Sequence, residues 1–326
     1  MLLKNKYAAG GPLMIFELDN PTEEQISRLC AMTSGVSHEL TVECVIKGTS
    51  PCEIYVDDLS PRSCFIKTPE CNVLAGENYD EAFLFELPPH IDYYDAVTCS
   101  GSKWEEILPG LHKNIGLRRY LRLAYKRTDP NTITELPEDC GNVRLIYPKD
   151  MASLAYGNSD IVSEWINILE PENRPDVCLA AVVLDGNDIV SCSALDCLLE
   201  DRVEIGIKTI PEYRGKGFGY LAAASLINQL CADGIREIGW HCVATNKGSR
   251  RIAEKCGFRK VSEYDFFCPY PPIENTSDLS ADEWEQLALF FTEKSSISED
   301  LLNQADRCRG QAEIRKQTDA GQMTGT

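Results

Sequence analysis

Apolar positions recur with two different periods along the second half of the chain. Val143-Arg144-Leu145-Ile146-Tyr147 reads as a short strand. Ile161, Trp165, Ile168 and Leu169 fall at helical spacing, with Ser159 or Asp160 as a helix start. Val177 to Leu184 predicts a strand, Asp185-Gly186-Asn187-Asp188 a hairpin turn, and Ile189 to Leu195 the returning partner. Val203 to Thr209 predicts another strand and Gly217 to Cys231 a helix rich in Ala and Leu. Ile235 to Val243 (strand), Lys247 to Cys256 (helix) and Phe258 to Phe267 (strand) complete the order β-α-β-β-β-α-β-α-β, a mixed α/β unit.

The first half has a fainter pattern. Thr41 to Ile46, Glu53 to Val56 and Cys64 to Lys67 predict strands; Glu77 to Leu87 and Trp104 to Tyr125 predict helices. This half also reads as α/β. Polar stretches at Lys126 to Thr132 and Pro137 to Asn142 break the apolar pattern, and the prolines of Cys268-Pro269-Tyr270-Pro271-Pro272 stop any element. Three units follow: 1–140, 141–268 and a helical tail over 269–326. The tail holds an amphipathic piece around Trp284, Leu287, Phe290 and Phe291, and its last residues, from about Thr318, read as disordered.

Composition narrows the function classes. The 326 residues are 43% hydrophobic and 25% charged, as in ordinary globular proteins. No stretch approaches the ~20 apolar residues of a membrane span, and the N-terminus lacks a signal-peptide core. A cytoplasmic protein is expected. The fifteen cysteines contain no Cys-x-x-Cys pair, and with His38, His90, His112 and His241 they make no metal pattern, so no metal is expected. They are expected to be reduced thiols packed as small apolar residues. A net charge of −19 argues against nucleic acid, whose phosphates need clustered Lys and Arg. It suits a cationic substrate, or only solubility.

Against that acidity, Arg214-Gly215-Lys216-Gly217-Phe218-Gly219 stands out between a predicted strand and a predicted helix. Glycines there let backbone N–H groups approach an anion, and the helix adds its positive end. A nucleotide P-loop needs Ser or Thr after Gly-Lys, and Gly217 stands there. The dinucleotide fingerprint needs a glycine where Tyr220 stands. Taken alone, the hexapeptide is either an anion-binding turn or a solvent turn before a helix.

Arg-x-x-Gly-x-Gly at such a junction resembles the coenzyme A signature of the GNAT superfamily of N-acyltransferases. The downstream Trp240 to Asn246, Ser249 and Ala253 to Phe258 resemble that family too, as does the strand order over Val143 to Phe267. Val45 to Gly48, Glu53 to Asp58, Pro61 to Ser63 and Leu74 to Glu77 resemble the N-terminal domain of a two-domain bacterial branch. That domain is similar to a GNAT fold without the coenzyme A loop. The resemblance implies a GNAT fold over 141–268 and an N-acetyltransferase using acetyl-CoA on a small-molecule primary amine. Alternatives are an acyl-CoA sensor or interaction protein, and a protein or peptide N-acetyltransferase.

The resemblance also implies roles. Ile207, Lys208 and Thr209 would offer backbone groups to the pantetheine arm. Gly215, Lys216, Gly217, Phe218 and Gly219 would hold the pyrophosphate, with Arg214 beside them. Asn246 would meet the thioester end. Ser249 opens the next helix and would cap it, contact the cofactor, or both. An ammonium must lose a proton before it attacks, so a general base is expected. Glu204 is the first candidate and His241, on the neighbouring strand, the second. The tyrosine that many members use as an acid is replaced by Ala253, leaving Ser249, Tyr264, Cys256 or a water.

Overall fold

The computed structural model describes residues 15–50, 53–77, 79, 81–91, 95–111, 117–129, 132–136, 142–153, 176–268, 279–294 and 299–323. In the first half lie β1 (Phe16–Glu17), α1 (Glu23–Thr33), α2 (Glu39–Ile46), β2 (Ile54–Val56), β3 (Ser63–Ile66), β4 (Asn72–Gly76), α3 (Glu81–Glu86), β5 (Val97–Cys99), α4 (Ser102–Leu111) and β6 (Arg118–Arg127). In the second lie β7 (Asn142–Ile146), β8 (Ala180–Asp185), β9 (Asp188–Leu199), β10 (Arg202–Thr209), α5 (Phe218–Ala232), β11 (Glu237–Val243), α6 (Lys247–Lys255) and β12 (Arg259–Cys268). Two helices close the chain, α7 (Ala281–Lys294) and α8 (Glu299–Met323).

The strands form one twelve-stranded sheet in the order β1-β2-β3-β4-β5-β12-β6-β11-β10-β9-β8-β7. Each half repeats one arrangement. Three antiparallel strands, β2-β3-β4 and β8-β9-β10, are followed by a strand parallel to the last, β5 and β11. The halves then exchange strands. β6, from the first half, lies between β11 and β12, and β12 lies against β5. The sheet therefore runs across the boundary expected near residue 140, and unit 141–268 is completed by a strand that precedes it in sequence.

The apolar pattern explains most elements. β8 and β9 are buried along nearly their whole length, and Gly186, at φ 61°, closes their hairpin. On α5, Ala222, Ala223 and Ala224 are fully buried and let the helix lie close to the sheet, where Leu226, Ile227 and Leu230 fill the core. Burying each of these three larger side chains stabilises the fold by roughly 1.5–3 kcal/mol.

Two elements depart from the sequence reading. Thr41 to Ile46 belongs to a helix, α2, with six of its eight residues buried. A short helix apolar on nearly every side loses its 3.6 period and looks like a strand. The helix predicted over Trp104 to Tyr125 ends at Leu111, and β6 follows. Within β6, Arg122 and Arg127 are buried, Arg122 paired with Glu70 and Arg127 bonded to Thr134 and the Cys256 carbonyl. The tail expected to be disordered from Thr318 is helical to Met323, as the last turns of α8. The helix expected around Ile161 to Leu169 lies outside the described residues. The thirteen described cysteines are free thiols. Among the described residues no helix is long and apolar enough to cross a membrane.

Candidate active site

β10 and β11 are paired only from Arg202–Glu237 to Glu204–Gly239, although they run on to Thr209 and Val243. Beyond Glu204 the two parallel strands separate. On its other side β10 stays paired with β9 as far as Thr209, with a bulge at which Asp196 is the extra residue of β9. Ile210 N–H donates to Val190 O on β9. By alternation, Gly206 and Lys208 turn their backbone groups to β9, and Ile205, Ile207 and Thr209 turn theirs to the opened edge. The Ser191 and Ser193 hydroxyls indeed donate to the Lys208 and Gly206 carbonyls, at 3.1 and 2.9 Å. Lys208, expected to offer its backbone across the cleft, therefore faces β9.

The glycine-rich turn stands at the end of this edge. Gly215 and Gly217 have φ of 76° and 87°, left-handed values that favour glycine, and a side chain at either would project into open space. Gly217 caps α5 without a side-chain bond. From Gly215 to Tyr220 no backbone N–H meets an acceptor among the described residues. Gly219 serves packing instead: a Cβ there would lie 3.0 Å from Ile207 Cδ1 and 3.1 Å from Ile252 Cδ1. The Arg214 Nε–H donates to Thr209 O at 3.2 Å, tying the turn to the strand end, and Lys216 Nζ lies 4.6 Å from the Tyr213 ring centre.

At the foot of the separation, the structure brings Glu204 and His241 together. His241 Nε2 lies 3.5 Å from Glu204 Oε1, and the Tyr264 hydroxyl meets His241 Nδ1 at 3.0 Å. The Thr41 hydroxyl donates to Glu204 Oε2 at 2.5 Å. Gly239 makes room, since a Cβ there would lie 2.8 Å from Glu204 Cγ. Glu204 is only 4% exposed, whereas Tyr264 keeps part of its surface.

Burial alone would raise the Glu204 pKa. The charge of His241 and bonds from His241 and Thr41 outweigh it and hold the carboxyl well below the usual carboxylate range. Burial alone would lower His241; the Glu204 charge and bond, then Glu70, outweigh it and raise its pKa. A proton taken up by this pair therefore resides on the imidazole. His38 is fully buried, bonded through Nε2 to the Cys71 carbonyl at 2.7 Å. Burial, then the neighbouring His241, lowers it to about 4. Asp196 is pushed well up by burial and by the charges of Glu70 and Glu204.

Ser249 does not join this group. Asn246, not Ser249, caps α6: its side-chain oxygen accepts from Ser249 N at 3.0 Å. The Ser249 hydroxyl accepts from Trp240 Nε1 at 2.9 Å, and Trp240 packs in the core on the face of β11 opposite His241. Cys256 is also buried in that core, with its pKa pushed up to about 12 by burial. Thr41, His38, Asp196 and Gly239 were missed by sequence reasoning. None lies in a motif, and each matters only through a partner distant in sequence. No group of described residues is arranged to hold a metal ion.

Comparison with known proteins bears on this geometry. The family model described as GNAT acetyltransferase matches residues 30–267. The chain is 25% identical over 259 residues to an uncharacterized N-acetyltransferase, YdfB, of Bacillus subtilis (strain 168), covering 77% of this chain and 98% of that one. The crystal structure of a GCN5-related N-acetyltransferase-like protein from Streptococcus suis 89/1591 is similar in fold, with a TM-score of 0.57 and 23% identity. That match covers 75% of this chain and 98% of the Streptococcus chain.

Proposed function

Because the chain belongs to the GNAT acetyltransferase family, we propose that it transfers the acetyl group of acetyl-CoA to a primary amine of a small molecule by direct attack. The observation that carries this reading is the opening between β10 and β11. It has an anion-ready glycine turn at one end and the Glu204–His241 pair at the other.

The residues present fit coenzyme A. The unclaimed N–H groups from Gly215 to Tyr220, at a helix start, suit a pyrophosphate. Arg214 and Lys216 add positive charge beside them. Ile207 and Thr209 face the opened edge and offer backbone groups to the pantetheine arm. The Asn246 carboxamide oxygen is taken by its cap, which leaves its NH2 group for the thioester end. When bound, acetyl-CoA supplies the activated acetyl thioester.

The chain's own residues manage the acceptor's proton. An ammonium has no lone pair, so the proton must leave before attack. Glu204 stays ionised and holds the imidazole, and His241 is the stronger base of the pair. Tyr264, whose hydroxyl meets His241 Nδ1, extends the pair toward the acceptor. Its phenolic oxygen accepts the amine's proton while its own proton passes to His241 Nδ1, so Tyr264 remains neutral. Its pKa, raised well above the ordinary phenol value chiefly by burial, is consistent with that. Glu204 keeps its negative charge at this end of the opening, which suits a cationic acceptor. α2 covers the face of the sheet on which Glu204 stands, and this enclosure favours a small acceptor over a protein side chain.

The test is thiol release from acetyl-CoA with an amine panel of aminoglycosides, polyamines, amino acids and peptides. Glu204→Gln is expected to keep acetyl-CoA affinity and to lower turnover by roughly 10²-fold or more. Binding of acetyl-CoA with no acceptor turned over would support a sensor instead. Selection of peptides alone would replace the small-amine reading. Absence of a thermal shift with acetyl-CoA would count against the cofactor itself.

A further inference from the structure

We infer that Thr41 is a positioning residue for this transfer: its hydroxyl holds Glu204 so that the other carboxylate oxygen addresses His241, making α2 part of the active centre. The inference rests on the reading that the Glu204–His241 pair takes the amine's proton.

Thr41 is fully buried in α2. A threonine inside a helix commonly bonds back to the carbonyl four residues earlier. Thr41 instead donates to Glu204 Oε2 at 2.5 Å, across 163 residues of sequence. Beside it, Leu40, Cys44, Cys197 and Leu199 form one small apolar and sulfur-bearing cluster, with Cys197 Sγ 3.6 Å from the hydroxyl. In such surroundings valine would satisfy packing alone, and an unpaired hydroxyl would be costly. The hydroxyl's partner is the carboxylate.

The rest of the geometry converges on the same group. Glu204 has one oxygen on Thr41 and the other facing His241, and Gly239 leaves the space its side chain occupies. His38, at the start of α2, sets its ring edge-on to His241 with centroids 6.1 Å apart, and 5.6 Å from that of Tyr264. One short helix of the first half therefore supplies the bond that orients Glu204 and a wall beside the imidazole. The proton-accepting unit is assembled from both halves of the chain.

A hydroxyl donated to a carboxylate stabilises the anion and so lowers the proton affinity of the pair. The titratable groups facing Glu204 are His38 and Cys44 from the α2 segment, Asp196 and Cys197 from β9, His241 from β11 and Tyr264 from β12. Glu70 and Arg122 act on His241 from beyond them. All of these remain when only the hydroxyl is removed.

In full-length protein, Thr41→Val is expected to move the acid limb of the kcat/KM profile up by about one pH unit. It should lower kcat about tenfold or more at neutral pH, with the KM for acetyl-CoA unchanged. Thr41→Ser keeps the hydroxyl and should retain the native profile. If valine prevents folding, Thr41→Cys carries the same test, because a thiol donates weakly and should give a partial shift. The His241 imidazole is also titrated by NMR without any substrate, and its pKa should rise in Thr41→Val. Native values of kcat, pH profile and His241 pKa in a folded Thr41→Val protein would overturn the inference, as would a Thr41→Ser protein that behaves like Thr41→Val. Failure of the native protein to turn over any amine would instead remove the functional reading, while the His241 titration still decides whether Thr41 acts on the pair.

Discussion

His38 should make the protein sensitive to acid well above the range in which its carboxylates are protonated. The imidazole is fully buried, keeps its Nε2 on the Cys71 carbonyl, and finds no partner for Nδ1 among the described residues. It is neutral in the folded protein down to about pH 4, whereas in the unfolded chain it takes a proton below 6.5. A base whose pKa is lowered by folding withdraws stability as the pH falls, because the unfolded state binds the proton first. The loss begins near 6.5 and is complete below about 4. At 1.36 kcal/mol per unit, the cost at pH 4.5 relative to pH 7.5 is about 2.5 kcal/mol. His38→Gln removes the titration, and its amide reaches far enough to keep donating to Cys71 O. Urea unfolding of the native and His38→Gln proteins at both pH values isolates the effect, since every other group is common to the two. The native protein should lose about 2.5 kcal/mol more than the variant on acidification. Equal losses would refute the reasoning, and would mean that His38 is protonated in the fold or that its site admits water.

Two further outcomes follow from the same geometry. Gly239→Ala should destabilise the fold by roughly 1–3 kcal/mol and displace Glu204, because the new Cβ would lie 2.8 Å from Glu204 Cγ; denaturation together with turnover checks both parts, and an unchanged kcat would show that Glu204 need not hold its place. Asn246→Ala should cost about 1 kcal/mol through loss of the α6 cap, measured by denaturant midpoint at constant slope.

The sequence by itself determined the elements of the second half, though not the strand β6 that completes their sheet. Every predicted element there that lies within the described residues appears within a few positions of its expected ends, because those strands and helices carry their periods openly. The glycine turn before α5 was equally legible as a turn, since Gly215 and Gly217 occupy left-handed positions that favour glycine. What the sequence left open is what depends on contact between distant segments. α2 looked like a strand because it is buried on almost every side, and β6 looked like a continuation of α4 because its apolar residues follow those of the helix. Glu204 and His241 were each visible as ionisable residues on neighbouring strands. Their meeting depends on the parallel register that sets Glu204 beside Gly239, on a bulge at Asp196, and on Thr41 arriving from 163 residues away. Local pattern records which residues turn inward; only the packed sheet decides which of them meet, because register and strand exchange are set by the sum of many contacts and by no single motif.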